Sequence, residues 1–201
     1  MNLPSKVLAI DTATKYIYLS LILDGKVIDS VYQEGSSNHS VTIMPLIEEI
    51  LIKNELVLKD IQGIMVGIGP GSYTGVRIGV AIAKMIGYLN EILIYSFSSL
   101  ALLATASDAE NIVAIIDARR GNAFLAQYEQ NSGVLKIKKN DILMNLDQFR
   151  IETKQPCIEI SEGKPDILKI IKSKLYQVVS DVHGLTPNYL QITEAERNRA
   201  L

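Results

Sequence analysis

Seven residues, Gly69-Pro70-Gly71-Ser72-Tyr73-Thr74-Gly75, join an apolar run, Gly63 to Ile68, to a second one, Val76 to Leu89. The first run has the length of a buried strand and the second that of a helix. Three glycines in the joint allow a tight strand-to-helix turn that passes close to neighbouring backbone. A strand feeding directly into an apolar helix is the signature of an α/β fold. The joint also invites a phosphate-loop reading, because backbone N–H groups at a helix start attract anions. The spacing departs from each familiar form. A Walker loop needs a lysine, and none lies here. The dinucleotide fingerprint needs two residues before its third glycine, and three precede Gly75. The hydrolase elbow needs glycines flanking a serine, but Pro70 and Thr74 flank Ser72.

The chain before this joint alternates like a small sheet. Strands are predicted over 7–11, 17–23 and 26–33, with Asp24-Gly25 as a hairpin turn. Ser36-Ser37-Asn38 offers caps for a helix over 39–54. A strand over 92–97 and a helix beginning at Ser98-Ser99 and ending near Ala106 follow the joint. The pattern then restarts. Ile112 to Asp117 resembles the first strand, and Asn122 to Glu129 resembles the second. Setting Asp117 on Asp11 puts Ile116 on Ile10, Phe124 on Tyr18 and Leu125 on Leu19. Two explanations stand: an internal duplication, or two unrelated buried hairpins that look alike. A hairpin over 123–138, a helix near 166–174 and a polar tail from Pro187 complete the chain.

Two helices carry more apolar surface than one sheet needs. Ile43, Met44, Leu46, Ile47, Ile50 and Leu51 cover a wide arc of the first, while Val41 and Ile52 lie away from it. On the second, Gly75, Gly79, Ala83 and Gly87 recur every fourth position as a stripe of small residues. Each glycine inside a helix costs roughly 1 kcal/mol, so the stripe needs a packing reason. Either the excess faces a partner helix, which small residues let approach closely, or it lies in an internal core.

Composition narrows the function. Apolar residues are 48% of the 201, which supports a core; 20 Lys+Arg against 22 Asp+Glu give a net charge of −2 and argue against a basic nucleic-acid grip. One cysteine, Cys157, cannot form an internal disulfide, and a reducing compartment is expected. The two histidines, His39 and His183, make no metal pattern. No signal-peptide core or membrane-length apolar run is found, so a cytoplasmic chain is expected. Asp11-Thr12-Ala13-Thr14 and Asp117-Ala118-Arg119-Arg120-Gly121 end equivalent strands. Alone each is turn chemistry. Together they resemble a nucleotide cleft, with Asp11, Thr12, Thr14, Asp117 and Arg119 as candidate phosphate or magnesium contacts.

The segments Leu8-Ala9-Ile10-Asp11-Thr12-Ala13-Thr14, His39-Ser40, Met44-Pro45-Leu46-Ile47, Val66 to Gly79, Ser98-Ser99-Leu100, Ile116 to Gly121 and Pro187-Asn188-Tyr189-Leu190 resemble the TsaB (YeaZ) family. The likeness is dense over 1–130 and thin from there to 186. It implies an α/β, actin-like (ASKHA) fold: an RNase H-like domain over 1–106, a reduced one over 107–186 and a tail over 187–201. It implies a role in making threonylcarbamoyladenosine beside the tRNA anticodon. In that family the chemistry belongs to the paralogue TsaD. The TsaB-like subunit is a non-catalytic scaffold without metal or cofactor. It binds TsaD through its first two long helices, allows the ATPase TsaE to join, pairs with itself when alone, and meets tRNA only through the complex. The helices implied are those of Ile43, Ile47, Ile50, Gly75, Gly79, Ala83 and Gly87. The alternative is an actin-like ATPase or kinase in its own right, and a peptidase lacks the residues it needs. Gln191 stands where the family usually has arginine.

Overall fold

In the computed structural model, residues 3–35, 39–153 and 156–190 are described. The first sheet holds six strands in the order β10-β5-β4-β1-β2-β3. They are β1 (Lys6–Asp11), β2 (Tyr16–Leu23), β3 (Lys26–Glu34), β4 (Gly63–Gly67), β5 (Leu93–Phe97) and β10 (Gln177–Val178). The second sheet has the order β8-β7-β6-β9, with β6 (Asn111–Asp117), β7 (Asn122–Asn131), β8 (Val134–Asn145) and β9 (Ile158–Ile160). In each, an antiparallel meander is followed by a strand parallel to its first member: β4 beside β1, and β9 beside β6. The repeat of topology matches the repeat seen along the chain. The register corrects one detail. Asp11 pairs with Tyr18 but Asp117 pairs with Ala123, so the second turn is one residue shorter. Ala123, not Phe124, is therefore the counterpart of Tyr18.

Both faces of the first sheet are covered, so β1 and β4 are buried almost throughout and lack the hydrophobic-in, polar-out alternation of a half-solvated strand. Leu8, Ile10, Leu19, Leu21, Ile64 and Val66 meet α1 (His39–Lys53) and α2 (Tyr73–Leu89) on one side. Val7, Ala9, Tyr18 and Met65 on the other share a core with α3 (Ser99–Ala104), α5 (Ile167–Ser173) and the inner face of the second sheet. The outer face of the second sheet is closed by α4 (Leu146–Glu152) through Phe149. The predicted elements are present, with α2 starting three residues earlier than expected because Ser72 accepts a hydrogen bond from the Gly75 N–H and acts as its cap. The strands β9 and β10 and the helix α4 were not foreseen. The capping role proposed for 36–38 lies outside the described residues, as do Gln191, the rest of the tail and the side chain of His39.

The chain ends by returning. After α5 it leaves the second sheet, adds β10 antiparallel to β5, and continues along α2. Lys84 Nζ donates to the carbonyls of His183 (2.7 Å) and Leu185 (3.1 Å). The Asn188 N–H donates to Ile68 O at 2.7 Å. The Arg77 guanidinium stacks on Tyr73 at 3.9 Å and its Nε donates to the Tyr189 hydroxyl at 2.6 Å. Residues 177–190 thus join the first sheet rather than the second.

Candidate functional site

The turn after β1 is enclosed by glycine backbone. The Ser72 N–H donates to Ala13 O at 2.7 Å. A Cβ on Gly71 or Gly75 would overlap the carbonyl of Ala13 or Thr12, and one on Gly79 would stand 2.6 Å from Thr12 Oγ1. Thr12 Oγ1 itself donates to Gly75 O at 2.7 Å. The small residues of α2 therefore serve a close approach to the β1 turn, and Gly87 serves a close approach to Ile94 of β5, 2.5 Å from where its Cβ would be. Neighbouring strand, not a second helix, is what the stripe admits.

That result relocates the surplus apolar surface. Ile43, Ile47, Ile50, Gly75, Gly79, Ala83 and Gly87 are all buried within this chain. Large apolar side chains exposed on the same helices include Val41 (69% exposed) and Ile52 (66%) on α1, and Met85 (43%), Tyr88 (63%) and Leu89 (70%) on α2; Tyr73 (44%) is exposed too but stacks with Arg77 and Tyr189. Sequence reasoning had set Val41 and Ile52 apart from the apolar arc of α1. The sequence also puts Tyr73, Arg77, Lys84 and Tyr88 on one polar or amphipathic stripe of α2; Tyr73, Arg77 and Tyr88 are exposed, whereas Lys84 is half-buried under the returning chain.

The candidate nucleotide residues divide into two groups. Thr14, Asp117 and Arg119 line a cleft of about 630 Å³ between the two halves, together with Lys15, Ser72 and Glu162. Asp117 Oδ1 accepts from the Arg119 N–H at 2.9 Å, and Arg119 and Arg120 hold left-handed backbone at φ 65° and 54°. Asp11 and Thr12 lie below this cleft and do not line it. Asp11 is 5% exposed; its Oδ2 accepts from Ser99 Oγ at 2.5 Å and its Oδ1 from the Ala13 N–H at 2.8 Å. Burial pushes its carboxyl up to about 6 against the pull of those two bonds. A space of about 20 Å³ is left beside it. Its carboxylate is engaged inward, so Asp11, Thr12 and Asp117 do not converge on one point. Among the described residues no group of three His, Cys, Asp or Glu side chains could hold a metal ion.

The segment 161–167 of the second half seals this region. Lys15 Nζ meets Glu162 Oε1 at 2.6 Å, and the Tyr16 hydroxyl donates to Glu162 Oε2 at 3.2 Å. The Gly163 N–H donates to the Tyr32 hydroxyl, and the Ile167 N–H to the Tyr18 hydroxyl, each at 3.3 Å. Tyr16 and Tyr32 stack with centroids 4.5 Å apart. These tyrosines, Ser99 and Glu162 were missed in the sequence. Tyr18 and Tyr32 on adjacent predicted strands, with Tyr16 just before the first of them, were the available signal.

Two sheets that share one four-strand order, β3-β2-β1-β4 in the first and β8-β7-β6-β9 in the second, packed through helices around a cleft between their first hairpin turns, define an actin-like fold. Two structures from Pseudomonas aeruginosa share it: YeaZ (TM-score 0.78) and a protein described as uncharacterized with similarity to peptidase YEAZ (0.80). Each is 20% identical, with 93% and 94% of this chain and 100% of theirs covered. Residues 31–183 match the family model of TsaD, tRNA N6-adenosine threonylcarbamoyltransferase. The chain is 31% identical to the tRNA threonylcarbamoyladenosine biosynthesis protein TsaB of Bacillus subtilis, over 94% of this chain and 96% of that protein. It is 35% identical to TsaB of Escherichia coli over 63% of this chain and 56% of that one. The chain belongs to the TsaB (YeaZ) family of tRNA threonylcarbamoyladenosine biosynthesis proteins. Among the described residues no helix is long and apolar enough to cross a membrane.

Proposed function

We propose that this chain is a non-catalytic scaffold subunit of a cytoplasmic tRNA threonylcarbamoyladenosine-synthesis complex. In this reading it binds and activates a TsaD-like transferase, allows a TsaE-like ATPase to join, pairs with itself when alone, and meets tRNA only through the complex. The observation that carries it is the apolar outer surface of α1 and α2, where Val41, Ile52, Met85, Tyr88 and Leu89 remain exposed although the inner faces are already packed. The seven buried residues Ile43, Ile47, Ile50, Gly75, Gly79, Ala83 and Gly87 contribute by seating both helices on the sheet, and the exposed five make the contact. The division into domains over 1–106 and 107–186 with a tail from 187 belongs to the same reading, with 177–190 strapped back onto the first domain.

The test is tRNA threonylcarbamoylation by a TsaD-like and a TsaE-like protein supplied with threonylcarbamoyl-adenylate, with and without this chain. Modification that requires the chain, while the chain alone turns over no ATP, is expected. Equal modification without it overturns the reading. The alternative of an independent ATPase draws on Thr14, Asp117 and Arg119 in the open cleft, a remnant of nucleotide binding without the inward-turned Asp11 and Thr12. Calorimetric titration with Mg-ATP separates it: micromolar binding with turnover would favour the enzyme.

A further inference from the structure

A second cavity, of about 540 Å³, opens between the two halves and is distinct in its lining from the Asp117 cleft. It lies within the range of small-molecule sites. Its walls are mixed: Ile68, Phe97 and Tyr176 are among the apolar and aromatic residues, and Ser98, Asn140, Gln177 and Asn188 of the returning strap are among the polar ones. Asp141 of β8 is the acidic side chain in that lining.

Asp141 has no cation. Its Oδ1 accepts from the neutral Ser98 hydroxyl at 3.0 Å, and no ion pair involving it is formed among the described residues. The neighbouring Tyr128, 1% exposed, is hydrogen-bonded to Ser98 and stays a neutral phenol because burial raises its pKa. Burial likewise raises the carboxyl of Asp141, and Lys174, although it lines the cavity, does not offset this. A half-buried carboxylate whose side-chain partner is a neutral hydroxyl gains from a cation that enters the cavity beside it. A metal ion is a poor fit, because a hard cation wants several oxygen ligands of which carboxylates are the strongest, and among the described residues no acidic or histidine cluster accompanies Asp141. An N–H cation is a good fit, because one carboxylate, a hydroxyl and the amide side chains of Asn140, Gln177 and Asn188 line the cavity as directional partners alongside its apolar residues.

We infer that this cavity binds a primary ammonium group, seated on Asp141 with its aliphatic chain against Ile68, Phe97 and Tyr176. The source is either a free small amine or the lysine side chain of another protein. The experiment is a titration of the full-length protein, followed by ¹H–¹⁵N spectra at constant ionic strength. The probes are butylammonium, N-acetyl-lysine methylamide and, as the anionic control, butanoate. Saturable shifts of the Ser98, Asp141 and Gln177 amides are expected with an ammonium probe and not with butanoate. Binding of the lysine derivative alone points to a protein source, and binding of butylammonium to a free amine. Asp141→Asn should weaken ammonium binding about tenfold or more. No saturable shift with either ammonium probe, or undiminished binding by Asp141→Asn, overturns the inference. Should that variant fold poorly, the wild-type Asp141 carboxyl ¹³C titration decides the matter. Saturation with the ammonium probe must lower its midpoint, and an unmoved midpoint overturns the inference.

Discussion

Asp11 is acidic in sequence and close to neutral in environment. Its folded pKa of about 6 lies above its ordinary value of 3.8. Between those values the folded state holds the proton more tightly than the unfolded chain, so this group's contribution to stability falls as pH rises from about 4 to 6 and stays lost above that. A shift of this size corresponds to roughly 3 kcal/mol. Asp11→Asn keeps an acceptor for the Ala13 N–H and carries no charge. The urea midpoint of the wild type relative to the variant should therefore decline over that pH interval; a constant difference would sink the assignment. The glycines of α2 make an opposite kind of demand, for space. Gly79→Leu places four carbons where one already stands 2.6 Å from Thr12 Oγ1. It should cost about 3 kcal/mol or more in denaturant melts. Loss of partner binding by that variant would thus follow from a disturbed fold, whatever the partner touches.

At the scale of the element, α2 has two faces with separate duties. Its inner face is committed to β1, β4 and β5, while Met85, Tyr88 and Leu89 face outward. Tyr88→Glu should change stability by less than about 0.5 kcal/mol yet weaken association with a TsaD-like partner by about tenfold or more, as read by calorimetry. Unchanged affinity would move the interface elsewhere. Periodicity made this helix legible, as it did β1 to β3, β6 and β7. It also set Val41, Ile52 and Tyr88 apart from the buried faces, but not Met85 or Leu89. What it could not tell was whether the small stripe admitted a helix or a strand, because both need the same absence of side chain. Three elements were illegible for plainer reasons. The strands β9 and β10 are three and two residues long, with no room for an alternating pattern. Helix α4 has seven residues, of which only Phe149 is buried, so it lacks an apolar stripe.

At the scale of the molecule, the halves share an apolar core, and hydrogen bonds between the 161–167 segment and tyrosines of β2 and β3 add to it. Tyr18 is the most deeply buried of these, 4% exposed. Tyr18→Phe removes the acceptor of the buried Ile167 N–H and should cost about 1–3 kcal/mol. Native-state hydrogen exchange at Ile167 should quicken more than at β4 amides, and equal protection in both proteins would remove Tyr18 from this role. The site was only half legible for the same long-range reason: Asp11 and Asp117 end equivalent strands, but only the folded chain shows that Ser99, 88 positions from Asp11, turns its carboxylate inward.

The returning strand β10 also sets an order of events during synthesis. The strand β5 waits for its outer neighbour until the ribosome has made the whole second half, about eighty residues later in the chain. Through that interval the nascent protein carries an unpaired strand edge, the kind of surface that recruits other chains. A stall or premature stop before residue 177 would release a product whose first sheet is nearly whole but open along that side, a substrate for chaperones rather than a functional fragment.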